Sequence, residues 1–308
     1  MQQMELKQIS SDGGDRSQAV SYVAGALSGL YSGEATPAPL LGGRTAGLTR
    51  LRVFNVEAYQ ARRNDVGPTA GASLLSPYLR HGCITLPEVR RDAIEKIGGD
   101  RAYKFIQELA WRQFWQLQRE RIGDRALNED LEAPKVPLGT GAVPNEVQAG
   151  ETGLDCMDIS VRSLKETGYL FNHARMWMAS YLIHHRKTAW QAGAQFFYRY
   201  LLDGDPASNS LSWQWVASTF SHKPYIFNRE NVEKYSRDPA NGETYCTRCP
   251  AAGNNTCPFD APYATLEKRL FGPDYDNDNG YRNGGNKGDG SKRGGSRGMD
   301  PRGSSQRR

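Results

Sequence analysis

The sequence predicts an all-α domain spanning about residues 44–272. Three observations predict it. Apolar residues recur at helical spacing in five stretches, alternation with period two is almost absent, and helix-boundary residues fall where those stretches start and stop. The 308-residue chain is long enough for a real core, and no internal repeat divides it.

In chain order, residues 1–43 carry Gly, Ser and Pro punctuation, as in "SDGGD" and "ATPAPLLGG", and read as a loosely packed extension. In "TLPEVRRDAIEKIGG", Thr85 and Glu88 stand at capping-box spacing, Pro87 occupies the first turn, and Gly98-Gly99 close the helix. "DRAYKFIQELAWRQFWQLQRERIG" reads as a long helix capped by Asp100, with Phe105, Ile106, Leu109, Phe114 and Leu117 on one stripe. Residues 126–153, rich in Pro, Gly and acidic groups, read as one long loop. "MDISVRSLKETG", "NHARMWMASYLIHHRKT" and "WQAGAQFFYRYLLDGD" give three more helices. Residues 273–308 are Gly-rich and read as a disordered tail, a solubilising terminus or a loose phosphate-attracting arm.

The formal charge of +5 belongs to that tail: from Arg282 on, eight Lys/Arg face two Asp, a local +6 that leaves the rest near −1. No positively charged leader precedes the N-terminal apolar residues, and no apolar run is long enough to span a bilayer. Five cysteines, an odd number, point to a reducing compartment, where close thiols bind metal more often than they pair. The expectation is a cytoplasmic monomer without membrane association.

Chemistry-bearing residues gather in three places. Glu108, Trp111 and Trp115 share one side of the long helix, with Arg112 beside them. Tryptophans alone would be plain core, but indole and charge together suit a cavity that stacks a flat ligand and hydrogen-bonds its edge. Asn172, Arg175 and Met176 sit among apolar residues, where an amide and a guanidinium need buried partners. "DGDPASNSLSWQW" then offers Asp203, Asp205, Asn209 and Trp213. A metal reading of the aspartates is weak, because no His or Glu occupies a neighbouring ligand position. An ion pair with Arg175, or a helix cap, fits them better. Trp215 reads as core, and His173, His184 and His185 as core or surface residues without a role.

These residues carry a resemblance. "SLLSPYLRHGCIT", "FIQELAWRQFWQ", "TGYLFNHARMWMASYL", "TAWQAGAQFFYRYLLDGDPASNSLSWQWVAS" and "KPYIFN" occur in order and at compatible spacing. From about Tyr59 to Asn228 they resemble the FAD-binding helical domain of the cryptochrome/photolyase family. The resemblance implies that Tyr59, Ser73, Leu75 and Ser76 hold the FAD phosphates and ribityl chain, with Ala72 where the family often has Thr. It implies that Arg112 contacts the flavin side, and that Asn172 and Arg175 flank the bent cofactor, Arg175 being paired to Asp203. Asp205 would lie near the ring and Asn209 near its N5. Glu108 and Trp111 match the residues that hydrogen-bond and stack a flipped-out DNA lesion. Asn172 and Met176 stand where branches that repair the (6-4) photoproduct have histidines, which points to cyclobutane dimers. The single-strand-preferring branch usually differs at Met176 and Trp111. Trp190 and Trp213 match two members of the chain that carries electrons to photoexcited flavin, and the outermost tryptophan has no counterpart.

"YCTRC" and "CPF" supply Cys246, Cys249 and Cys257, three thiols that by themselves suit a zinc ribbon or an iron–sulfur site, with Cys156 or Cys83 as fourth ligand. "LDCMDISVRSLKETGY" and "YCTRCPAAGNNTCPF" resemble the iron–sulfur bacterial branch of the same family. That resemblance implies a [4Fe–4S] cluster on Cys156, Cys246, Cys249 and Cys257, with zinc as the alternative. Residues 1–43 are too few for the α/β antenna domain that the family normally carries. The expected function is therefore that of a short, antenna-less photolyase acting on DNA with UV photoproducts and associated with the nucleoid. A blue-light receptor of the cryptochrome kind, or a DNA-binding protein without light chemistry, is the alternative.

Overall fold

The computed structural model describes residues 16–31, 33–35, 37–67, 70–273, 275–276 and 280–281; the stretch expected to be a disordered basic tail lies outside them from Arg282 on. The first helix, α1 (Arg16–Ala26), alternates exposed and half-buried residues, with none buried among those described. A first group follows: α2 (Arg44–Val53), α3 (Val56–Arg62), α4 (Ser76–Arg80), α5 (Leu86–Ile97) and the long α6 (Gly99–Ile122). These close on a core that includes Leu51, Phe54, Tyr78, Val89 and Phe105. Between Thr85 and Glu88 the full capping box forms, each residue bonding the other's backbone N–H.

Asp100 does not cap α6. Gly98 ends α5 and stands before α6 at φ 80°, so the two helices share one glycine corner and Asp100 falls inside the first turn. The apolar stripe of α6 is covered only at its start. Phe105 is buried, whereas Phe114 and Leu117 are 36% and 51% exposed, because the second half of the helix runs beyond the first core.

Residues 126–153 are not one loop. They overlap α7 (Arg125–Asn128) and contain α8 (Asn145–Ala149), and Gly141 bridges to Thr188. The strand-like approach requires glycine at 139, where a Cβ would lie 1.9 Å from the Lys187 carbonyl oxygen. The larger core then assembles from α9 (Asp155–Thr167), α10 (Asn172–Ser180), a π-helical turn (Tyr181–His185), α11 (Trp190–Tyr200), α12 (Pro206–Ala217) and α13 (Arg229–Ser236). Two short helices, α14 (Pro250–Gly253) and α15 (Tyr263–Phe271), end the helical part. Tyr275–Asp276 and Gly280–Tyr281, within the segment read as tail, pair as a two-residue ladder, and Tyr275 packs on Phe271.

Among the described residues the fold is thus all-α apart from that ladder and the Gly141–Thr188 bridge, as the periodicity predicts. Helix α12 touches α6 on one side and α10 and α11 on the other, so it is the wall common to both groups. Trp215 on its outer face is 39% exposed and packs on Tyr225 in a tilted arrangement rather than entering the core. Among the described residues no helix is long and apolar enough to cross a membrane.

Candidate functional site

Along α12 and the facing sides of α6 and α10 runs a cavity of about 290 Å³. Its deepest charges are paired. Arg175 donates through Nη2 to both oxygens of Asp203, at 3.0 and 2.9 Å, and through Nε to the Leu170 carbonyl at 2.7 Å. Burial opposes the guanidinium charge, yet the Asp203 carboxylate and Tyr169 together offset it and hold the Arg175 pKa above its ordinary value.

Asp205 caps α12, accepting from the Ser208 N–H and from Gln116 Nε2, both at 2.7 Å. Its other oxygen lies 3.8 Å from Arg80 and 3.9 Å from Arg112. Burial raises the Asp205 pKa, but these hydrogen bonds and the Arg112 charge together hold it below the ordinary value. Burial lowers the Arg112 pKa, which Asp205 only partly counters. Asn209 lines the cavity and donates to the Ala194 carbonyl at 2.8 Å. Asn172, the first residue of α10 rather than its cap, reaches only the Met176 sulfur, at 3.6 Å. Ser208 Oγ is buried against the cavity with no hydrogen-bond partner.

At the mouth, Trp111 is 45% exposed and stacks on Trp115 at 5.4 Å. Glu108 is held by Lys104 one turn earlier (2.9 Å) and by Arg63 (3.5 Å). Tyr59, Ser73 and Ser76 line the other side, where burial raises the Tyr59 hydroxyl well above its ordinary pKa. Ser73 Oγ accepts from the Leu75 N–H at 3.3 Å across Leu74, whose φ of 57° is left-handed. Leu75 itself is 1% exposed and belongs to the first core, so its side chain does not reach the cavity.

Trp213 lines the cavity and meets Phe197 edge-on at 5.0 Å. Trp190, at the start of α11, is buried outside the cavity lining, and its indole N–H donates to Asp130 at 2.7 Å. Sequence reasoning missed Lys104, Arg63, Gln116, Ser208, Asp130 and Tyr169, a cavity-lining residue whose ring lies 5.4 Å from the Arg175 guanidinium. Helical spacing could have found the first, at four residues from Glu108. The Asx-cap pattern could have found Ser208, three residues after Asp205. Nothing local marks the others.

The second site is a cysteine corner. Cys156 on the first turn of α9 is buried, and Cys246, Cys249 and Cys257 pack against the same core. Cys249 Sγ accepts the N–H of Asp155, Cys156's neighbour, at 3.5 Å. Burial raises the Cys156 thiol well above its ordinary pKa, and Cys246, Cys257 and Cys249 push it further. Burial likewise pushes Cys246 up to about 12. Cys83 lies apart, against the first core. Among the described residues, no three Cys, His, Asp or Glu side chains are drawn close enough to hold a single metal ion.

Comparison with known proteins supplies the context. Residues 105–249 match the family described as the FAD binding domain of DNA photolyase. The chain is 30% identical over 207 residues to cryptochrome DASH of Synechocystis sp., an overlap of 64% of this chain and 42% of that one. It is 30% identical over 216 residues to the deoxyribodipyrimidine photo-lyase of Alkalihalophilus pseudofirmus, covering 68% and 45%. Among solved structures, a bacterial class III photolyase from Agrobacterium tumefaciens superposes with a TM-score of 0.57 at 28% identity, over 75% of this chain and 50% of that one. The chain spans less than half the length of the curated relatives named here.

Proposed function

We propose, from the premise that residues 105–249 are an FAD-binding domain of the cryptochrome/photolyase family, that this protein holds FAD in the α6–α10–α12 cavity and splits cyclobutane pyrimidine dimers in DNA under light. One observation carries the reading. Glu108 and Trp111 stand at the mouth of the same cavity whose floor holds the Arg175–Asp203 pair and Asn209. The buried, unpartnered Ser208 Oγ suits a polar ligand there, and the exposed Asn172 amide lines the same cavity.

Bound flavin supplies one-electron transfer on excitation by light. The residues do the rest. Tyr59, Ser73 and Ser76 offer hydroxyls to the phosphate and ribityl part. Arg112, Arg175, Asp205 and Asn209 surround the ring. The indole of Trp111 stacks on the extruded bases, and Glu108 bonds their edge once DNA phosphate competes for Lys104 and Arg63. Met176 and Asn172 line the lesion side, and Trp213 and Trp190 feed electrons inward.

A [4Fe–4S] cluster on Cys156, Cys246, Cys249 and Cys257 belongs to the same proposal. A zinc ion needs sulfurs roughly 4 Å apart, given Zn–S bonds of about 2.3 Å. Cys246, Cys249 and Cys257 lie within electrostatic reach of Cys156, and the positive irons of a cluster would compensate thiolates that burial otherwise disfavours. Anaerobic preparation with iron, sulfide and zinc analysis tests it, and a colourless zinc-loaded protein would refute it.

The decisive assay incubates flavin-reduced protein with a thymine-dimer oligonucleotide under blue light and follows restored thymine. Absence of repair with flavin bound and reduced overturns the photolyase reading. In that event the receptor reading, favoured by the cryptochrome DASH names among the relatives, takes its place.

A further inference from the structure

Trp190 opens α11 and is 2% exposed, while the carboxylate that accepts its indole N–H at 2.7 Å, Asp130, is exposed. The chain is fixed on both sides of that carboxylate. Gln191 Nε2 donates to the Asn128 carbonyl at 3.2 Å, and the Leu131 N–H donates to Gln214 Oε1 at 3.1 Å. One turn along α11 lies the seat of Trp213: a Cβ on Gly193 would meet that indole at 2.3 Å, so only glycine lets the ring lie on the helix. Trp213 in turn lines the cavity. Trp213 and Trp190 therefore both meet the first turn of α11, Trp213 on the cavity side and Trp190 bonded to the exposed Asp130.

We propose that Asp130 is the proton acceptor that terminates an electron path through the two indoles. The inference rests on the reading of the cavity as an FAD site with Trp213 and Trp190 as its electron donors. The oxidant is photoexcited flavin: Trp213 gives it one electron and is refilled by one electron from Trp190. The Trp190 N–H bond then breaks, its proton forms an O–H bond on Asp130, and a neutral indole radical and a neutral carboxylic acid remain. The pair has lost one electron and gone from charge −1 to zero, so the step balances. An oxidised indole is a far stronger acid than the indole itself, and a positive charge so deeply buried is costly unless paired. A carboxylate already hydrogen-bonded to the acidic N–H both stabilises that charge and takes the proton. Return of the electron then requires return of the proton, which prolongs charge separation without a third tryptophan. Exposure of Asp130 lets the proton exchange with solvent.

The test is flash spectroscopy on the flavin-loaded protein, which distinguishes the indole radical cation from the neutral radical. The wild type is expected to form the neutral radical, several-fold more slowly in heavy water. Asp130→Asn keeps a hydrogen-bond acceptor but cannot take the proton. In it the cation should persist and the yield of flavin photoreduction should fall several-fold, with Asp130→Glu restoring part of it. In the dark, the Trp190 indole N–H resonance should move upfield in Asp130→Ala, a readout that needs no light chemistry. A neutral radical formed at the wild-type rate in Asp130→Asn overturns the proposal. Unchanged photoreduction in Trp190→Phe overturns the electron path beneath it. Failure of dimer repair with normal radical kinetics removes the photolyase reading alone and leaves the role of Asp130 standing.

Discussion

The cavity and the cysteine corner lie in one helical domain but solve the burial of reactive groups differently. In the cavity the charges are balanced by protein: Arg175 by Asp203, and Asp205 by Ser208, Gln116 and Arg112. At the corner the thiols lie within electrostatic reach of one another, and Cys246, Cys257 and Cys249 raise the cost of ionising Cys156. The cavity is thus balanced before a ligand arrives, whereas on the proposed reading the corner's thiols ionise only when a cation binds.

Metal removal is the sharpest way to break that comparison. Cys156→Ser is expected to abolish iron and sulfide and to loosen residues 244–259, since structural metal sites carry apparent binding energies on the order of 10 kcal/mol. Flavin absorbance should survive. Metal analysis, hydrogen exchange and the flavin spectrum check this together. Loss of FAD with the metal retained would show that the corner, not the cavity, is the preformed site.

The next largest effect belongs to the cavity. Asp203→Ala leaves the Arg175 guanidinium without its partner, and breaking a buried pair costs about 3–5 kcal/mol. Urea denaturation measures that loss, which should come with loss of FAD and no loss of iron. A change below about 1 kcal/mol would mean that the Leu170 carbonyl and the Tyr169 ring, 5.4 Å from the guanidinium, already satisfy it.

How far each region was legible in the sequence follows from the range of its contacts. The helices were legible because capping and periodicity are local: Thr85 and Glu88 lie three residues apart. Most cavity residues were legible because they sit in blocks whose order and spacing match a known family. What escaped was long-range. Gln116 reaches Asp205 across 89 positions, Trp190 reaches Asp130 across 60, and no local pattern records either. The exposure of Phe114 and Leu117 was hidden for a related reason. Periodicity says which side of α6 is apolar, not how far along the helix its neighbours extend.

The smallest effect tests the seam between the regions. The π-helical turn leaves α10 on the cavity side and places His185 against Phe259, two residues from Cys257. His184 Nε2 lies 3.1 Å from the Val216 carbonyl and must donate, which leaves Nδ1 buried without a partner. Burial therefore lowers the His184 pKa from its ordinary 6.5 to about 3, and that of His185 to about 4. A base whose pKa falls on folding binds its proton better unfolded. Stability is then full above pH 6.5 and is lost as pH falls from there towards the folded values. Asp205, held below its ordinary 3.8, contributes only further down. Urea midpoints measured between pH 7 and pH 4.5 should thus fall, with His184 and His185 joined by His173, whose pKa burial also lowers. His184→Gln should flatten that fall while leaving flavin and iron content unchanged. An unaltered slope would assign the acid sensitivity to groups outside the turn and separate the two regions more completely than their shared core implies.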